Sequence, residues 1–155
     1  MRIQIKAEEA QAHRDQVLRF LNSELKSVKN ASQRAFVQEM FRVFGECVES
    51  APISNPNPGT RKNQQAPGRL RSSGTLTLDG DVVAEGSEGG FPLVLNPVTM
   101  ASKAIIGFAT PYARIQHEQL NYNHPYGGRA KYIEGPLLNN ISRIKATIAG
   151  EMRNG

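Results

Sequence analysis

Residues 51–71, APISNPNPGTRKNQQAPGRLR, hold four prolines and show neither a helical nor a strand period. Proline lacks the backbone N–H and fixes φ, so no helix interior or central strand runs through such a stretch. It separates a helical first third of the chain from a mixed remainder. A connection this long in a compact fold is either functional or without structure of its own. At 155 residues the chain suits one domain, spanning 1–155, with a real core.

Upstream of the break, Leu18, Leu21, Leu25 and Val28 recur at three- and four-residue steps within 8–29 and draw one apolar stripe. Glu8 and Glu9 near its start and Lys26 and Lys29 near its end suit the helix dipole. Asn30, with Gln33 three residues on, offers the cap of a second helix at about 32–49. That segment puts Phe36, Val37, Met40, Phe41, Phe44, Cys47 and Val48 on a broader face, which predicts deeper burial. An antiparallel pair and one long bent helix both satisfy this pattern.

Downstream, Gly74-Thr75-Leu76-Thr77-Leu78 alternates, Asp79-Gly80 makes a turn and Asp81-Val82-Val83-Ala84 follows, the pattern of a β-hairpin. A Gly/Pro-rich stretch at 86–102 interrupts the sheet, and Lys103 to Phe108 reads as another strand. Pro136 suits the first turn of a last helix, along which Leu137, Ile141, Ile144 and Ile148 form a stripe closed by Gly150. The expected fold is therefore α+β. N-terminal helices and a C-terminal helix cover one face of a mainly antiparallel sheet, with long loops at 51–71 and 86–102.

The net charge of +5 raises the possibility of a nucleic-acid partner, and its placement argues against one. Residues 1–50 and 76–155 are near neutral, and the surplus is Arg61, Lys62, Arg69 and Arg71 in a segment without an acid. A nucleic-acid-binding module would use those cations on phosphates and Tyr122 or Tyr126 for stacking; a solvated loop needs the same charge for solubility. No apolar run approaches the roughly 20 residues of a membrane span. The charged amino terminus is unlike a secretory leader, so a soluble intracellular protein is expected.

All four tyrosines and two of the three histidines lie in YARIQHEQLNYNHPYGGRAKYIEGPL, residues 112–137. His117-Glu118 and His124 suggest a metal site with Glu134 or His13 as a further ligand. The histidines are seven apart across Asn and Pro, however, where a zinc-binding helix needs four. They read better as hydrogen-bonding groups of a loop or interface. Neither a nucleophile elbow nor a phosphate loop occurs, and Cys47, between Phe44 and Val48 on a helix, reads as a small buried hydrophobe. No catalytic residue, cofactor or metal site is expected.

Two stretches together resemble the small tail-completion and head–tail joining proteins of tailed bacteriophages, also called minor capsid or tail-terminator-like proteins. In the first, Gly68, Leu70, Arg71 and Ser73 match a Gly-x-Leu-Arg-x-Ser turn into a sheet. In the second, Tyr112, Ala113, Gln116, His117, Glu118, His124, Pro125, Gly127, Ala130, Lys131, Tyr132, Glu134 and Pro136 match a Tyr-Ala-x-x-x-His-Glu segment. A Gly-rich turn and a lead-in to a final helix follow it. The long 51–67 loop and the insertion around 86–102 depart from the family's pattern.

The resemblance implies a non-enzymatic subunit of the virion neck, assembled in the host cytoplasm into a ring, often a hexamer. Its neighbours would be the tail tube protein and the head connector or stopper, with genomic DNA passing through the channel without sequence-specific binding and no membrane involved. Arg69, Arg71, Tyr112, His117, Glu118, His124, Tyr126, Arg129, Lys131, Tyr132 and Glu134 are the residues it points to for contact with a subunit or neighbouring ring. Tyr112 and Ile115 would pack on the sheet from a short helical turn, and His117, Glu118 and the Asn-rich loop would project sideways. Tyrosines suit such a seam because they join apolar area to a hydrogen-bonding tip.

Overall fold

A computed structural model describes residues 7–54 and 66–154, with side chains from residue 14 onward. Glu8, Glu9, His13, Arg61 and Lys62 lie outside the described residues or side chains. The first element is one uninterrupted helix, α1 (Ala7–Ser50), of 44 residues and about 66 Å at 1.5 Å per residue. The cap expected at Asn30 does not form. The residues after it are helix-compatible, and Ala31 and Ala35 are buried, so packing carries the helix through a local stop signal.

The remaining elements are α2 (Arg69–Ser72), β1 (Gly74–Leu78), β2 (Asp81–Glu85), β3 (Leu93–Val94), β4 (Ala104–Phe108), α3 (Ala113–Glu118) and α4 (Glu134–Asn154). The strands form one antiparallel sheet in the order β3-β2-β1-β4. Asp79 and Gly80 both adopt positive φ, which lets a two-residue turn match the strand twist. The Asp79 carboxylate accepts hydrogen bonds from the Lys103 and Ser102 amides at 3.0 and 3.2 Å, tying the end of the 86–102 segment to the hairpin tip. That segment also contributes the short edge strand β3, which its glycines and prolines conceal in the sequence.

Alternation decides which face of the sheet is covered. Leu76 and Leu78 point inward with Val83 and Ala84 and meet Val37, Met40, Val43, Phe44, Cys47 and Val48 of α1 and Ile144 of α4. Each large apolar side chain buried there contributes about 1.5–3 kcal/mol. Two polar pins join α4 to α1: Arg143 Nε donates to Glu39 Oε2 at 3.2 Å, and Asn140 Nδ2 donates to Glu46 Oε2 at 2.6 Å. Because Asn140 and Arg143 face α1, the stripe expected on α4 is only partly covered. Ile144 is buried while Leu137 and Ile141 stand exposed at its margin.

Cys47 is fully buried, and burial first, then the charge of Glu46, pushes its thiol up to about 12. The native protein is expected to resist a thiol reagent at neutral pH, labelling only as fast as it unfolds. A labelling rate that tracks the unfolded fraction across a urea series would bear this out. Full labelling of native protein within minutes would mean that the α1–sheet seam opens.

Candidate functional site

The carboxyl end of α1 leaves carbonyls with no partner inside the helix, and α1 has no basic residue of its own in its last turn. The missing donor comes from the first of the two stretches singled out above. A turn through Gly68, at φ 75, starts α2. Arg71 on α2 is buried and donates from Nε to the Ala51 carbonyl at 2.9 Å and from Nη2 to the Glu49 carbonyl at 2.6 Å. A guanidinium set against a helix C-terminus is favoured by the dipole as well as by the bonds. Arg69, on the same short helix, is exposed.

The second stretch closes on the same helix end. Gly127 and Gly128 both take positive φ. Their turn brings the Arg129 amide to the Ser50 carbonyl at 2.9 Å and the Gly127 carbonyl to the Ile53 amide at 3.1 Å. Past the turn, Tyr132 is buried against Ala51, Leu70 and Ala113. Its hydroxyl donates to the Ala113 carbonyl at 2.8 Å, and its ring meets Phe108 and His117 edge-on at 5.0 and 5.1 Å. Burial raises the Tyr132 hydroxyl pKa above the ordinary tyrosine value, so at neutral pH it remains a neutral donor.

Over that ring lies a compact charged group. Glu118 takes a bond from Lys131 Nζ at 2.7 Å and from His117 Nδ1 at 2.7 Å, and Lys131 also reaches Glu134 at 3.0 Å. The other ring nitrogen of His117, Nε2, faces the Glu134 amide at 3.4 Å. The Lys131 bond, with that of His117, holds the Glu118 carboxyl below the usual range. The same bond, with that of Glu134, holds the Lys131 ammonium above its own. Both shifts favour the charged forms, so Glu118 and Lys131 form an ion pair at neutral pH.

The structure divides the eleven residues expected at an interface. Arg71 and Tyr132 are buried, and their side chains bond within the fold. Tyr112 is half-buried in the cluster around Tyr132, while Ile115, expected to pack on the sheet, is exposed. His117, Glu118, Lys131 and Glu134 form one group, and Arg69, Tyr126 and Arg129 lie exposed. His124 is partly buried, with an Nε2 that finds no partner among the described residues, and burial lowers its pKa. Among the described residues, no three His, Cys, Asp or Glu side chains are grouped to hold a metal ion.

Glu39, buried beneath Arg143, is the charged residue that sequence patterning did not single out. Its position on the apolar side of α1, between Phe36 and Met40, was the available signal. Compared with protein-family models, curated proteins and solved structures, the chain matches none.

Proposed function

We propose that this chain is a structural protein of the phage neck, forming a ring that completes or terminates the tail and joins it to the head connector. The reading rests on the resemblance of the two stretches. One observation carries it further: both stretches, far apart in sequence, converge on the last carbonyls of α1. Arg71 takes those of Glu49 and Ala51, and the Gly127–Arg129 turn takes the backbone of Ser50 and Ile53. Motif residues that interlock in this way build one rigid platform. On it stand the charged group of His117, Glu118, Lys131 and Glu134, with Tyr126 and Arg129 exposed beside it. The partners in this reading are further copies of the chain, the tail tube protein and the connector or stopper, with DNA passing through the hole.

The competing reading, a nucleic-acid-binding module, loses one of its cations, since Arg71 is committed to the fold. The test images the purified protein by negative-stain electron microscopy beside its mass in solution. Rings with a hole wide enough for duplex DNA are expected. A monomer that binds DNA with an affinity falling steeply as salt rises would overturn the neck reading in favour of the module. Virions that assemble normally with His117→Ala and Glu118→Ala together would remove the charged group from the contact.

A further inference from the structure

The amino-terminal half of α1 has no core beneath it. Every described residue from 14 to 27 is exposed, including Leu18, Leu21 and Leu25 of the stripe and the flanking Val17 and Phe20, with Leu25 at 68% and Phe20 at 63%. At 100° per residue, Leu18, Leu21, Leu25 and Val28 fall within about 80° of arc, so this is a directed face. An amphipathic helix is stabilised in water mainly by packing of its apolar face, and nothing among the described residues covers this one.

The sheet has the complementary deficiency. Strand register puts Val82, Thr77 and Ile105 side by side across β2, β1 and β4, on the face opposite Leu76 and Leu78. Leu93 pairs with Glu85, which pairs with Thr75, continuing that face toward β3. Val82 is 46% exposed and Ile105 53%. A sheet with one face on its core and an apolar strip on the other is stable when a further layer covers it, and a helix is one of the layers that fits.

Charge points to the same match. Residues 74–102 carry Asp79, Asp81, Glu85 and Glu88 with no Lys or Arg, whereas residues 14–29 carry Arg14, Arg19, Lys26 and Lys29 against Asp15 and Glu24. Arg14 continues the line of the apolar stripe and Lys29 borders it. The helix cannot meet this strip within its own chain. α1 is continuous, and residues 37–48 already lie on the inner face, so its first half runs away from the sheet.

From these three features we infer that the amino-terminal half of α1 of one copy packs across the exposed sheet face of the next copy. The contact joins two different surfaces of identical chains, which generates a closed ring or an open filament according to the rotation it imposes. It rests on the reading above that the chain assembles with itself, and it names the surfaces that do so. The 112–134 platform then remains free for a different neighbour.

The test uses single-cysteine additions in the full chain: Leu18→Cys, Leu21→Cys and Leu25→Cys on the helix, Val82→Cys and Ile105→Cys on the sheet. All five sites are exposed, and circular dichroism would verify that each variant folds. Under mild oxidation, helix and sheet variants mixed together are expected to form covalent dimers for at least one pairing, while each variant alone does not. The yield should fall severalfold as salt is raised from about 0.05 to 1 M and the charges are screened. An oligomer, by mass, in which every mixed pairing fails or helix variants link only to themselves overturns the helix-on-sheet contact and leaves ring assembly to another surface. A monomer at every concentration overturns the contact between copies, and the neck assignment then depends on assembly with tube and connector alone.

Discussion

Arg71→Ala is expected to lower the unfolding free energy by about 3 kcal/mol, or roughly 10 °C in the thermal midpoint for a chain of this size. The variant removes two charge-assisted bonds from a buried site and leaves the carbonyls of Glu49 and Ala51 without their donor. It also empties the space between Gly90 and Gly127, each of which has an Arg71 guanidinium nitrogen beside it. Arg71→Lys keeps the charge yet cannot span two carbonyls with a planar fork, so it should recover less than half of the loss. Urea unfolding followed by circular dichroism supplies the number, with the slope unchanged between variants. A loss below about 0.5 kcal/mol, the range of ordinary surface changes, would mean that water replaces the guanidinium at the helix end. The assignment of Arg71 to the fold would then fail.

That role was not legible in the sequence, and the reason is physical. Arg71 stands with three other cations in a stretch without acids, so counting charges assigns it to solvent or to a partner. Its real partners are backbone carbonyls, present at every residue and therefore invisible to pattern. They become special only because α1 ends at Ser50 with no cation in its last turn. The hairpin, by contrast, was largely written: alternation fixes which side chains of β1 face inward, and Asp79-Gly80 fixes where the strands reverse, while the register shift that buries both Val83 and Ala84 on β2 left no sign in the pattern. The apolar face from Phe36 to Val48 was legible for the same reason, since period and burial coincide there.

Where period and burial part, reading by period goes wrong in two instructive ways. On α4 the spacing of Leu137, Ile141, Ile144 and Ile148 identifies a helix. The polar pins at Asn140 and Arg143 nevertheless turn the helix so that only part of the stripe is covered. On α1 the stripe of Leu18, Leu21 and Leu25 identifies a helix with a face to bury, and none of the described residues of the chain buries it. Amphipathicity in a sequence reports that a partner surface exists; it does not report whether that surface belongs to the same molecule. The charged group above Tyr132 illustrates a third limit. His117, Glu118, Lys131 and Glu134 were all singled out, but that they bind one another follows only from the turn at Gly127 and Gly128.

Gly128→Ala is expected to be the most damaging single change, costing roughly 3–5 kcal/mol. Two effects add. Gly128 sits at φ 84, a conformation costing an L-residue about 1–2 kcal/mol. In addition, a Cβ there would collide with the Pro52 nitrogen and Cα and the Ala51 carbonyl carbon, all far inside van der Waals contact. Those are backbone atoms at the end of α1, already fixed by the bonds to Arg71 and Arg129, so they cannot swing aside as a side-chain tip would. Gly127→Ala separates the two effects. Gly127 also has positive φ, at 118, but a Cβ on it would lie 3.7 Å from Ile53 Cδ1 and 3.9 Å from Arg71 Nη2, in ordinary contact. It should therefore cost only the conformational part. Equal losses for the two variants in urea unfolding would show that the loop relieves the collision by shifting. A clear excess for Gly128→Ala would show that the close approach of two backbones holds the 112–134 platform against α1. The variant should then also weaken any assembly contact made through Glu118, Tyr126 or Arg129, although none of the three is altered.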